Sequence, residues 1–163
     1  MIIILMGVSG SGKTTIGRLL ADDLGWEFLE ADEFHPAANI DKMRRGIPLD
    51  DADRNPWLAA VAAALEARTS AGRNAILACS ALKHAYRKRL RVSPEVRFVY
   101  LKGTYAEIED RLEDRRGHFF SPELLDSQFD ALEEPRDALV VDISNTPSTI
   151  VQQITRGLGL NRQ

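Results

Sequence analysis

Five apolar residues, Ile2-Ile3-Ile4-Leu5-Met6, run directly into Gly7-Val8-Ser9-Gly10-Ser11-Gly12-Lys13-Thr14, and this junction constrains the fold more than any other stretch. The octapeptide is a complete phosphate-binding loop (P-loop). Its glycines let the backbone curl around an anion and aim successive N–H groups at it, Lys13 reaches the β- and γ-phosphates, and Thr14 offers a hydroxyl to Mg²⁺. The helix starting at Lys13, with Thr14 and Thr15 in its first turn, adds its positive dipole end. A Gly/Ser-rich turn with no phosphate to bind is the alternative reading. Context decides against it, because a buried-type apolar run precedes the loop and Ile16, Leu19, Leu20 and Leu24 follow at helical spacing.

The chain's 163 residues suit one domain with its own core. A net charge of −3 and a pI near 5.6 argue against nucleic acid as the main partner. The one basic cluster, Lys83 to Arg91, reads as a solvated helix face, with contact to a phosphorylated product as a further possibility. Cys79 is the single cysteine and lies in an apolar run, so a buried, reduced thiol is expected. The N-terminal apolar stretch is too short to span a bilayer and lacks a charged leader, which gives a cytoplasmic expectation with no membrane partner.

Further along, Glu27 to Ala31 reads as a second strand ending just before Asp32. Residues 35–54 are polar, carry Pro36, Gly46 and Pro48, and form an excursion with a short helix over 39–45. Asn55-Pro56 reads as an N-cap and first helical residue, followed by Trp57, Val61 and Leu65 on one helix face. Strands are expected over 74–79, 96–101 and 138–142. Thr104 and Glu107 form a capping box, Ser121-Pro122-Glu123 restarts a helix, and Pro147 opens the last one. Strands without strict alternation, separated by helices, indicate a parallel sheet covered on both faces. The expected fold is one three-layer α/β/α P-loop kinase domain, 1–163, with a five-stranded parallel sheet and a mobile lid near 115–125.

Ligands of such sheets collect outside the carboxyl ends of the strands, which puts Asp32 opposite the loop. A carboxylate there can orient an attacking hydroxyl and take its proton, or hold Mg²⁺ through water; capping a turn is the plainer role. The third strand ends in Cys79-Ser80 rather than an acidic residue, so Asp32 is the carboxylate expected near the metal. Arg111, Arg115 and Arg116 end a helix and precede Gly117. Arg111 and Arg116 either pair with Glu107 or Glu113, or the group belongs to a lid that brings a guanidinium to the transferring phosphoryl group while excluding water. Phe119 and Phe120 either close that lid or join the core.

These residues carry a resemblance that covers nearly the whole chain. Besides the loop it rests on Asp32 with His35-Pro36, Asn39 to Met43, Pro48 to Arg54 with Pro56-Trp57-Leu58, and Cys79-Ser80-Ala81-Leu82-Lys83 with Tyr86-Arg87. Tyr100 to Gly103, Arg115 to Phe120, and Gln128-Phe129 with Leu132 to Pro135 complete it. In these segments the chain resembles the bacterial-type gluconate kinases, small P-loop sugar-acid kinases related to shikimate and adenylate kinases. The resemblance implies ATP- and Mg²⁺-dependent phosphorylation of gluconate at its terminal hydroxyl. It implies catalytic roles for Lys13, Asp32 and Arg115, with Arg111 stacked on adenine and Ser144, Asn145, Thr146 and Pro147 bordering the base. It further places Asp32, His35, Arg54, Lys83, Arg87 and His118 around the sugar acid, and a homodimer is common in the group. Ala31 stands where many relatives carry glycine. Another acceptor on the same fold, such as shikimate, is the nearest rival. A nucleotide-regulated switch is disfavoured by the lack of an Asn-Lys-x-Asp motif and of an acidic third-strand end.

Overall fold

The computed structural model describes residues 1–114 and 122–161. Its sheet has five parallel strands, β1 (Ile2–Met6), β2 (Glu27–Glu30), β3 (Ala75–Ala78), β4 (Val96–Lys102) and β5 (Leu139–Asp142), in the order β2-β3-β1-β4-β5. β1 is central, with Ile4 beside Leu77 on one side and Phe98 on the other. Every β1 residue is buried, which is why that strand is a continuous apolar run rather than an alternating one.

The pleat divides β1 between two cores. Ile3 and Leu5 join Ile16, Leu20 and Leu24 of α1 (Lys13–Leu24), Ile108 of α5 (Tyr105–Glu113), Leu125 of α6 (Pro122–Ala131), and Ile150 and Ile154 of α7 (Pro147–Gly157). Ile2, Ile4 and Met6 face Trp57, Val61 and Leu65 of α3 (Asp51–Ser70) and Tyr86 and Leu90 of α4 (His84–Leu90). The remaining helix, α2 (Ala37–Arg44), lies in the excursion. Three layers follow directly.

The expected elements form, with some shifts. Leu19 faces solvent, 43% exposed, so α1 buries a narrower stripe than its apolar residues suggest. Gly17 explains how closely α1 approaches the sheet: a Cβ there would lie 2.4 Å from the Phe28 ring. β2 stops at Glu30, and Ala31–Phe34 winds into a 3₁₀ turn that carries Asp32. α3 begins earlier than the Asn55-Pro56 signal suggests. Asp50 caps it by accepting from the Asp53 backbone N–H at 2.8 Å, and Asp53 returns the bond to Asp50 N at 3.1 Å. Pro56 therefore sits inside the helix, where it forgoes one backbone hydrogen bond. The expected lid falls mostly on residues 115–121, outside the described residues, and its last four residues begin α6.

Candidate active site

β1 delivers the loop to the sheet's carboxyl edge, and the loop's closure onto α1 is backbone chemistry. Gly12 adopts the left-handed conformation, φ 97°, immediately before α1 and has no side chain to cap the first-turn N–H groups. Those donors, from Lys13, Thr14 and Thr15, are what an anion at a helix N-terminus binds. Gly7 N–H donates to the Ser80 carbonyl at 3.2 Å, tying the loop to the end of β3. Lys13 Nζ donates to the Gly7 and Val8 carbonyls, each at 2.9 Å, so its ammonium is held within the loop.

A cleft of about 300 Å³ opens beside the loop, and its wall includes Lys13, Glu30, Asp32, His35, Arg54 and Gln128. One cavity thus joins the lysine expected to bind phosphate to the carboxylate, imidazole and guanidinium expected to meet the acceptor. His35 lies flat on Trp57, with ring centroids 4.4 Å apart and planes 13° from parallel. Burial holds its imidazole below the usual histidine range, opposed by the Asp32 charge and reinforced by Arg54. Arg54 donates to the Tyr86 hydroxyl at 3.2 Å, and that hydroxyl donates to Asp51. Lys83 pairs with Asp51 at 3.2 Å and is not part of the cleft wall.

Arg87, expected at the sugar acid, does not line the cleft. It is buried, and its two terminal nitrogens donate to the carbonyls of Ala81, at 2.7 Å, and Glu133, at 2.8 Å. The reason is local: the turn after β3 puts Ala81, a residue with a Cβ, at φ 44°. Arg87 clamps that turn from below, while Glu133 accepts from the His84 N–H and donates its own N–H to Leu82. The clamp holds Ser80 against the loop.

Two cleft residues escaped sequence reasoning. Glu30 accepts from the Thr14 hydroxyl at 2.7 Å, so the carboxylate that touches the expected metal-binding hydroxyl is Glu30. Burial pushes its carboxyl above the usual range, and the Thr14 hydrogen bond partly offsets this. Its signal was an acidic residue at the last position of β2. Gln128 accepts from the Ser9 N–H at 2.6 Å and donates to the Ser9 hydroxyl at 2.8 Å.

On the other side of the loop, Arg111 passes next to Gly12 and donates to the Ile143 carbonyl. It thereby adjoins the segment after β5, where Asn145 turns back onto the Asp142 carbonyl and Thr146 caps α7 ahead of Pro147. Arg115 and His118 lie outside the described residues. Hydroxyl and carboxylate oxygens from Thr14, Glu30 and Asp32 fit a hard cation such as Mg²⁺. Among the described residues, no three His, Cys, Asp or Glu side chains form a metal cluster. None of their helices is long and apolar enough to cross a membrane.

The fold and this loop define the chain as a P-loop kinase that uses a nucleotide and acts on a small molecule. The family described as AAA domain matches residues 2–139. The chain is 45% identical to the thermoresistant gluconokinase of Escherichia coli (strain K12), over 92% of this chain and 89% of that protein. It is 44% identical to a gluconokinase of Gluconobacter oxydans (strain 621H), over 94% and 89% respectively. A solved gluconokinase structure from Sinorhizobium meliloti 1021 superposes with a TM-score of 0.88 at 41% identity, covering 96% of this chain and 90% of that one. The chain belongs to the gluconokinase family.

Proposed function

We propose that this protein transfers the γ-phosphoryl group of ATP to the terminal hydroxyl of D-gluconate, giving 6-phospho-D-gluconate and ADP. The observation that carries the reading is the shared cleft, in which a family-typical loop lysine and an acceptor-side carboxylate, imidazole and guanidinium line one cavity. Lys13 neutralises charge on the transferring group, and the N–H groups opening α1 hold the phosphates. Asp32 orients the terminal hydroxyl and takes its proton. Arg54 meets the gluconate carboxylate, since among the described residues it is the guanidinium in the cleft wall and Tyr86 fixes its reach. Mg²⁺, when bound, shields the phosphate charges; Thr14, Glu30 and Asp32 are the residues to hold it, directly or through water. By family resemblance, Arg111 and residues 144–147 border the adenine, and Lys83, paired with Asp51, serves the acceptor side. By family resemblance, Arg115 and His118 complete the site, and the protein works as a cytoplasmic homodimer.

Coupled ADP release from Mg²⁺ and ATP, run across gluconate, other sugar acids, sugars, shikimate and nucleoside monophosphates, tests the proposal. Gluconate is expected to lead by a wide margin. Preference for shikimate or a nucleotide would refute it.

A further inference from the structure

His35 has little freedom of orientation. Its ring is stacked on Trp57, and Trp57 is pinned by its Nε1–H donating to the Ala31 carbonyl at 2.7 Å. What remains to be decided is which ring nitrogen carries the proton, and Asn39 decides it. Asn39 is 3% exposed, and its amide nitrogen lies 2.8 Å from the Asp53 carbonyl oxygen and 3.1 Å from His35 Nδ1. A carbonyl oxygen only accepts, so the amide must present its NH₂ group, not its oxygen, to Asp53. The second hydrogen of the same NH₂ is then available to His35 Nδ1, and an NH₂ group offers no acceptor in return. Nδ1 is therefore the bare nitrogen, and the neutral ring carries its proton on Nε2.

We propose that Asn39 is a positioning residue that locks His35 as the Nε2–H tautomer, making it a hydrogen-bond donor to an acceptor-substrate oxygen and excluding it as the base. The donor role rests on reading the cleft as the gluconate site. With Nδ1 engaged and Nε2 protonated, the imidazole has no lone pair for the proton of the terminal hydroxyl. The base role falls to Asp32 on the same wall. A neutral N–H suits a polyol oxygen, while the charged guanidinium of Arg54 suits the carboxylate. Placing one neutral and one cationic donor along the cleft distinguishes the two ends of a sugar acid.

Nitrogen-15 NMR of the His35 ring in the ligand-free, full-length protein reads the lock without substrate. A protonated Nε2 and a bare Nδ1 are expected; a protonated Nδ1 or an even mixture overturns the lock. Asn39→Leu removes the amide and is expected to mix the tautomers and raise KM for gluconate on the order of tenfold, with kcat much less affected. Unchanged KM and an unchanged ring spectrum in that variant would overturn the positioning role. His35→Gln can place an N–H near the Nε2 position, whereas His35→Asn mimics Nδ1, so the glutamine variant should keep the lower KM. The reverse order overturns the donor assignment. Failure to phosphorylate gluconate at all would overturn the acceptor reading and the donor role with it, while the ring spectrum still decides the lock.

Discussion

Lys13 and Cys79 lie in the same cleft wall, yet their environments give them opposite roles. Lys13 is an ammonium held by two loop carbonyls, and its proposed role is to meet phosphate. Replacing it with methionine removes a preorganised charge, and kcat should fall about 100- to 1,000-fold, about 3–4 kcal/mol, with little change in Tm. Near-normal turnover at saturating ATP would show that the lysine is not catalytic. Cys79 is buried, and its thiol is pushed up to about 12 by loss of hydration. It should resist alkylation at pH 8 in the folded protein and react once unfolded. The sign of the linkage follows: between the usual thiol pKa near 9 and 12, the unfolded chain releases a proton that the folded chain keeps, so this group lowers stability as pH rises through that window. The two carboxylates separate in the same way. Asp32→Asn should abolish turnover with ATP binding retained, because base and orientation are lost. Glu30→Gln should instead raise the Mg²⁺ concentration needed for half-maximal rate about 10- to 100-fold, as loss of an outer-shell partner does. Equal effects of the two substitutions on Mg²⁺ dependence would contradict that division.

At the scale of elements, the sequence was most legible where one local force decides. Strands β1, β3 and β4 are apolar runs whose limits fall within a residue or so of expectation, and the Thr104–Glu107 capping box stands where it was read. The start of α3 was misread because Pro56 is permitted at a first helical position, while the Asp50–Asp53 box that forms is an acidic pair rather than the Ser/Thr-to-Glu pattern. Contacts distant in sequence were not legible. Gln128 meets Ser9 across 119 residues, and no local pattern encodes that pairing. Arg87 illustrates a related point: its place in a basic cluster suggests a charge facing solvent or ligand, yet its partners here are carbonyls on the turn after β3 and on the segment after α6. Arg87→Met keeps the apolar stem but leaves two carbonyls unsatisfied, so it should cost about 3 kcal/mol of stability. KM for gluconate should hold in the folded fraction. A stable variant with a raised KM would return Arg87 to the substrate.

For the whole molecule, the decisive arrangement is that one strand serves two cores and carries the catalytic loop at its end. Ile4 is fully buried among Leu77, Phe98 and the α3 side chains, so Ile4→Ala leaves a cavity at the centre of the sheet and should cost about 3–4 kcal/mol. The loop is anchored independently of that side chain. Gly7 N–H donates to the Ser80 carbonyl just after β3, Lys13 binds the loop's own carbonyls, and Gln128 holds Ser9 from α6. The cavity should therefore lower Tm without changing the loop's shape. Binding that favours the folded state stabilises by an amount set only by ligand concentration and affinity, about 2.7 kcal/mol at a hundred times Kd. Saturating Mg²⁺ and ATP should accordingly stabilise Ile4→Ala and the parent protein by equal free energies, each obtained from denaturant unfolding with and without nucleotide, and calorimetric Kd values for ATP should coincide. A weaker Kd in the variant would mean that packing beneath β1 sets the geometry of the phosphate site, and that the two cores are part of the binding machinery rather than its support.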